Sequence, residues 1–179
     1  KKRKASGKAN PMKNVEDYIS IGEDNIAYLK TSDLFYQLEV GKKKFLLVHG
    51  GVPRMIKKLP VETNPYASFY QNDKDTKGFF FSMMRTRFET PDGKMGSLGD
   101  ETKEDNYWAD EYDGRFGHVI FGHQPFFVDA PKEFPYATGI DLGCVYGGKL
   151  CALIIDEDGS VSWETTPALK KYASHRDEE

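Results

Sequence analysis

The chain has 179 residues, with 25 Lys and Arg against 28 Asp and Glu and a net charge of −3, the size of one domain or a large part of one. Hydrophobic residues make up 39%, including 12 Phe and 10 Tyr, enough for a packed core, and no run approaches the roughly 18 apolar residues of a membrane helix. The charge balance gives no footing for nucleic-acid binding, and no secretory leader is visible. Two cysteines, Cys144 and Cys151, are too few for a disulfide framework. They point to a reducing, cytoplasmic setting and read as small buried apolar side chains, with a bridge open only if their segments pair as a hairpin.

Residues 1–13, opening on Lys1-Lys2-Arg3-Lys4, lack periodicity and read as a basic, solvated tail. From Val15 to Lys30 the apolar residues recur at helical spacing, broken by Ser20 and Gly22. This predicts a short helix, a turn, and a second helix with an acidic first turn. Leu34 to Val40 alternates as a strand, Gly41-Lys42-Lys43-Lys44 turns, and Phe45-Leu46-Leu47-Val48 is a continuous apolar run, short enough for a fully buried strand. Residues 52–77 read as a surface excursion. Phe79 to Phe88 is apolar without a decisive period, so helix and strand both stay open. Pro91-Asp92-Gly93 marks a turn, and Trp108 to Tyr112 is a short amphipathic piece. His118-Val119-Ile120-Phe121 is a second buried-strand candidate. Further strands are expected at Ala137–Val145, Lys149–Ile155 and Val161–Glu164, and a polar tail over 166–179. The fold class is therefore mixed α/β.

Two apolar strands each end in a histidine beside glycine: Val48-His49-Gly50-Gly51 and Phe121-Gly122-His123-Gln124. A buried strand fixes the backbone, glycine permits sharp turns and close approach, and a neutral imidazole can then offer a nitrogen to a metal. Two histidines do not close a coordination sphere. A lone histidine at a strand end is more often a hydrogen-bonded structural residue, so it is the repetition of context that points to a site.

The segment Phe45-Leu46-Leu47-Val48-His49-Gly50-Gly51-Val52 resembles the VHGG or VHAG motif of the calcineurin-like metallophosphoesterases. Val119-Ile120-Phe121-Gly122-His123-Gln124-Pro125 resembles their FGHTP motif. Thr138-Gly139-Ile140-Asp141-Leu142-Gly143-Cys144-Val145-Tyr146-Gly147-Gly148-Lys149-Leu150 resembles, almost without interruption, the signature of the ApaH-like branch. That branch contains the bacterial symmetrical diadenosine tetraphosphatases and their eukaryotic relatives. The resemblance covers about residues 20–165, in the expected order. It implies the C-terminal half of a β-sandwich flanked by helices, four-layered αββα when complete, here over residues 14–165.

Carried over residue by residue, the resemblance implies that His49 and His123 ligate one ion of a binuclear metal pair. It implies that Arg85 grips substrate phosphate, as a planar guanidinium does well, with Arg87 as the alternative. Asp141 would support the site, for instance by fixing a ligating histidine, and Tyr146, in a turn between core strands, would face substrate. The cofactor expected is two divalent ions, Mn²⁺ first, with Fe, Zn²⁺, Co²⁺ or Mg²⁺ as alternatives. The family's upstream segments, Asp-x-His-Gly, Gly-Asp-x-x-Asp-Arg-Gly and Gly-Asn-His-Asp/Glu, do not occur here. His118 and His175 lie outside any ligand-like motif.

The expectation is thus a hydrolase of nucleoside polyphosphates, of the diadenosine tetraphosphate type, present as an incomplete catalytic domain. With Lys1 as first residue, it reads as a C-terminal fragment whose N-terminal half supplies the other ligands. Phosphoproteins, polyphosphate and capped RNA ends are the alternative substrates within the family. The rival from another class is a non-catalytic, partner-binding module.

Overall fold

The computed structural model describes residues 22–61, 63–64, 74–96 and 102–174. The basic segment 1–13, the first helix expected from Val15 and His175 lie outside them. The chain divides into two units, Lys1–Ser32 and Asp33–Glu179. In the first, helix α1 (Glu23–Leu29) carries Glu23 and Asp24 in its first turn and buries none of its residues. Its acidic start complements the unpaired N–H groups at a helix N-terminus.

The second unit is organised by a five-stranded sheet. Strand β1 (Phe35–Val40) and strand β2 (Lys43–Val48) form an antiparallel hairpin across Gly41-Lys42, with Val40 opposite Lys43. Gly41 has φ 61°, the positive value that a two-residue hairpin turn demands. Strand β5 (His118–Phe121) lies parallel to β2, with Leu46 opposite Val119 and Val48 opposite Phe121. Strand β7 (Ala137–Gly139) lies parallel to β5, and β6 (Lys132–Phe134) closes the sheet antiparallel to β7, giving the order β1-β2-β5-β7-β6. Central parallel strands are covered on both faces. That is why β2 and β5 read as unbroken apolar runs: Phe45, Leu46, Val48, Val119, Ile120 and Phe121 are all buried.

Between β2 and β5 run helix α2 (Lys74–Arg85), a two-stranded ribbon of β3 (Phe88–Glu89) and β4 (Asn106–Tyr107), and the single helical turn α3 (Trp108–Glu111). The ambiguous stretch from Phe79 is thus helical to Arg85. Phe80 and Met83, three apart, face the core while Phe81 and Met84 are exposed. The segment after β2, expected as surface, is partly core: Val52 and Ile56 are buried. A cluster of rings fills the interior beside the sheet. Phe121 packs edge-on against Trp108 at 4.9 Å, and Tyr107 stacks on Phe134 at 5.4 Å. Such pairs add about 0.5–1.5 kcal/mol each beyond burial.

The strand expected over Ala137–Val145 stops at Gly139. Beyond it Gly143 is left-handed at φ 70°, and Cys144–Tyr146 form a 3₁₀ turn closed by Gly147 at φ 90°. No strand tolerates two such residues so close together. The Tyr146-Gly147-Gly148-Lys149 turn therefore leads out of the main sheet into a separate hairpin of β8 (Lys149–Ile155) and β9 (Val161–Pro167). Strand β9 runs past residue 165, and the chain beyond it returns to the turn: Ala168 N–H donates to Gly148 O, and Tyr172 N–H to Val145 O. Cys144 and Cys151 are free thiols. Among the described residues no helix is long and apolar enough to cross a membrane.

Candidate metal and phosphate site

His49 follows the C-terminal end of β2, and the segment carrying His123 follows the C-terminal end of its parallel neighbour β5. Crevices beyond the carboxyl ends of parallel strands are where such sheets bind ligands. The two backbones are joined directly, since Gly122 N–H donates to His49 O at 3.0 Å. The two rings meet as well: His49 Nε2 lies 3.2 Å from His123 Nδ1, with ring centroids 4.9 Å apart.

His123 holds a backbone shape that a non-glycine residue seldom takes, at φ 69°. Gln124 N–H donates to Gly122 O at 2.8 Å, so His123 is the centre of a γ-turn, the rare form with positive φ. Strain of this kind costs about 1–3 kcal/mol and persists where the surroundings enforce it. Here the enforcing group is Arg87, whose Nη2 donates to the His123 carbonyl at 3.1 Å.

The glycines after His49 serve close approach. Gly50 and Gly51 N–H both donate to Met83 O, at 3.0 and 2.9 Å. A Cβ on Gly50 would lie 2.6 Å from the Met84 carbonyl carbon, and one on Gly51 would lie 2.6 Å from the Trp108 indole. Glycine at position 50 lets the last turn of α2 reach the strand end, and glycine at position 51 makes room for the Trp108 ring of α3. Arg85, the final residue of α2, is delivered to the histidines by the first of these contacts. Its charge also complements the helix C-terminus.

Burial pushes the His123 imidazole down to about 4, and the Arg87, His49 and Arg85 charges add to the depression, while Asp141 opposes it. His123 is therefore neutral at pH 7, the form in which a ring nitrogen carries a free lone pair. The 3.2 Å separation suits two ligands of one ion: at metal–nitrogen distances of about 2.0–2.2 Å it subtends roughly 90–110°. The alternative use of that spacing is a single N–H···N hydrogen bond. His123 Nε2, on the far side of the ring, is buried and has no hydrogen-bond partner among the described residues. The two histidines thus fit a metal ion as a ligand pair. Among the described residues no group of three or more His, Cys, Asp or Glu side chains completes the set.

Asp141 follows the third parallel strand, β7. Its Oδ1 accepts from Gly143 N–H at 3.0 Å, so the carboxylate braces the turn of the long signature, where the sequence suggested a histidine partner. Its proximity to His123 is electrostatic. Tyr146 lies in the 3₁₀ turn with its ring 6.1 Å from that of Phe127. His118, at the opposite end of β5, lies with its Nε2 2.7 Å from Thr138 Oγ1 and lines a cavity of about 480 Å³ with Phe45 and Phe134. The direct link of Arg87 to His123 was not readable in advance, because it depends on where α2 ends in space.

No protein-family profile matches the chain. It is 36% identical over 70 residues to the bis(5′-nucleosyl)-tetraphosphatase PrpE [asymmetrical] of Bacillus thuringiensis (strain Al Hakam), covering 39% of this chain and 26% of that protein. The protein of the same name in Anoxybacillus flavithermus (strain DSM 21510 / WK1) is 35% identical over 69 residues, covering 38% and 26%. The chain spans about a quarter of the length of these relatives. A crystal structure of a protein provisionally named diadenosine tetraphosphatase shares the fold, with a TM-score of 0.55 and 22% identity over 86% of this chain and 59% of the other. Over about 70 residues the chain is thus similar to curated bis(5′-nucleosyl)-tetraphosphatases, and its fold is that of the solved diadenosine tetraphosphatase-like protein.

Proposed function

We propose that this chain carries one arm of a divalent-metal-dependent phosphoesterase acting on nucleoside polyphosphates of the diadenosine tetraphosphate type. The observation that carries the reading is the meeting of His49 Nε2 and His123 Nδ1 at neighbouring strand ends, beside the arginines at the end of α2. His49 and His123 would hold a metal ion, with Mn²⁺ the first choice for nitrogen and oxygen ligands. When bound, such an ion supplies Lewis acidity toward a phosphoryl oxygen. Arg85, exposed at the helix end, is assigned to substrate phosphate, where a guanidinium offers a bidentate grip. Arg87 holds the strained His123 turn and lends its charge to the same phosphate. Asp141 keeps the neighbouring turn in place, and Tyr146 is assigned to the substrate rim. The other ligands, and the second ion, are assigned to the remaining part of the same catalytic domain, outside these 179 residues. A cytoplasmic location accompanies this reading, which covers residues 14–165, with the segments on either side left out of the catalytic domain.

The test is hydrolysis of diadenosine tetraphosphate against Mn²⁺ concentration, compared with a phosphopeptide, polyphosphate and capped RNA. The product pattern separates symmetrical from asymmetrical cleavage. The complete enzyme is expected to prefer the dinucleotide, and the 179-residue chain alone to show little or no turnover. Preference for the phosphopeptide redirects the substrate assignment. Full activity after Arg85→Ala removes the phosphate grip. A complete enzyme inert toward all four substrates supports the non-catalytic reading.

A further inference from the structure

The turn after His49 has little regular hydrogen bonding of its own. Val52, Pro53 and Ile56 are nevertheless buried, so their carbonyl oxygens need donors. Ile56 N–H donates to Pro53 O at 2.9 Å, and one side chain reaches all three carbonyls. Arg115 Nε donates to Ile56 O at 2.9 Å, and its Nη2 donates to Pro53 O at 2.9 Å and Val52 O at 3.3 Å. The remaining Nη1 pairs with Asp113 at 2.7 Å. The guanidinium sits 5.0 Å from the Tyr112 ring centroid and 5.2 Å from that of Phe116, so it is stacked as well as bonded. Its side chain is 14% exposed. A charge this far from water is tolerated only where its donors are used, and here they are used on the chain 59 to 63 residues earlier.

Arg115 also lies three residues before β5, the strand that leads to His123. It therefore ties the segment following one histidine to the segment preceding the other. A second clamp holds the same turn from the other side: Arg54 N–H and Nε donate to the buried Glu89 carboxylate at 2.8 and 2.6 Å. With Gly50 and Gly51 fixed on Met83 O and Met55 N–H donating to Gly93 O at 2.9 Å, the path of residues 50–56 is determined at four places.

We propose that Arg115 is a positioning residue for His49: by gripping the carbonyls of Val52, Pro53 and Ile56 it keeps the His49 imidazole at the spacing from His123 that makes the two a ligand pair. The functional meaning rests on the metal reading above, but the geometry is measurable without metal or substrate. Lysine cannot replace it, because one ammonium has no planar fork to span three carbonyls.

The experiment is proton NMR of the 179-residue chain, reading the nuclear Overhauser effect between the His49 and His123 ring protons. Wild type is expected to show it. Arg115→Met is expected to weaken it several-fold, and Arg115→Lys to an intermediate degree. Leu153→Ala, in the β8–β9 hairpin, serves as a control that lowers stability while leaving the effect intact. Wild-type intensity in Arg115→Met, or an equal loss in Leu153→Ala, overturns the proposal. Should Arg115→Met not fold, Arg115→Lys decides, and wild-type intensity there overturns it too. A complete enzyme that fails to hydrolyse any phosphate ester leaves this result unchanged, so the two readings fail separately.

Discussion

The two strand ends at His49 and His123 and the long signature over 138–150 are opposite kinds of motif. The first consists of two short segments, each ordinary alone, whose importance appears only when β2 and β5 lie parallel and bring the rings to 3.2 Å. The second is long and specific in sequence, yet much of it serves the shape of the backbone. Asp141 braces Gly143, Gly143 and Gly147 take left-handed conformations, and Gly148 fits under the Leu142 carbonyl. Specificity of a sequence pattern measures how narrowly a shape is constrained. It does not measure how close the residues stand to the chemistry.

The largest effect that separates the two regions is expected at Arg85 in the complete enzyme. If Arg85 grips substrate phosphate as proposed, Arg85→Ala removes a donor to the transferring group, with an expected loss of about 2.7–4 kcal/mol, or roughly 10²–10³ in rate, on the analogy of an oxyanion hole. Added Mn²⁺ should not restore it. His49→Ala and His123→Ala should instead lower metal occupancy, and excess Mn²⁺ should partly recover turnover. Activity titrated against Mn²⁺, with bound metal counted in parallel, distinguishes the two failures. Full metal occupancy in both histidine variants makes the rings structural and erases the contrast with the signature.

Next comes the signature itself. A Cβ on Gly148 would stand 2.1 Å from Leu142 O, against backbone that cannot swing aside. Gly148→Ala is expected to destabilise by about 2–3 kcal/mol, lowering Tm by roughly 5–10 °C. The His49–His123 ring contact should survive in the folded fraction. Gly50→Ala, whose Cβ meets the Met84 carbonyl at 2.6 Å, should do the reverse in kind. It would push the end of α2 away and weaken phosphate binding more than stability. If both variants lose only stability, the distinction between a site glycine and a scaffold glycine is wrong.

What could be read in advance follows the same division. β2 and β5 were legible because a strand covered on both faces leaves an unbroken apolar run, and the histidines were legible because glycine flanks both. Helix α2 was not decided by its pattern, since Phe79-Phe80-Phe81 and Met83-Met84 place apolar groups on the exposed side too. The strand expected to Val145 ends at Gly139, and the chain beyond it turns through a left-handed Gly143 whose N–H is held by an Asp141 side chain that no periodicity reports. The grip of Arg115 on Val52, Pro53 and Ile56 was invisible for a simpler reason. Nothing local says which carbonyls, some sixty residues away, a buried guanidinium will meet.

A smaller effect is expected from acid. His123 falls from 6.5 to about 4 in the folded chain, first because it is buried and then because Arg87, His49 and Arg85 repel a further charge. A histidine with a depressed folded pKa is deprotonated in the native state while the unfolded chain takes up the proton. The stability it contributes is complete above pH 6.5 and is lost as pH falls toward 4. Discounted for solvent at the cleft, the loss is about 1–2 kcal/mol. Urea unfolding midpoints between pH 7 and pH 4 should therefore fall more steeply for wild type than for His123→Asn. Parallel slopes would mean that His123 is not held neutral by its surroundings.

The smallest effect concerns Lys149, the last charged residue of the signature. Its ammonium pairs with Asp129 at 2.7 Å, but Asp129 is 95% exposed, so water and salt screen the pair. A lysine inside so specific a pattern invites a catalytic reading. Its partner instead ties it to the loop between β5 and β6, and the backbone at Lys149 is already fixed by its N–H donating to Leu142 O. Lys149→Met should move Tm by no more than about 2 °C, and raising the salt concentration should shrink even that difference. In the complete enzyme it should leave KM and kcat for diadenosine tetraphosphate unchanged. A large rise in KM would mean that the signature reaches substrate through its lysine, and the line drawn between the two kinds of motif would have to move.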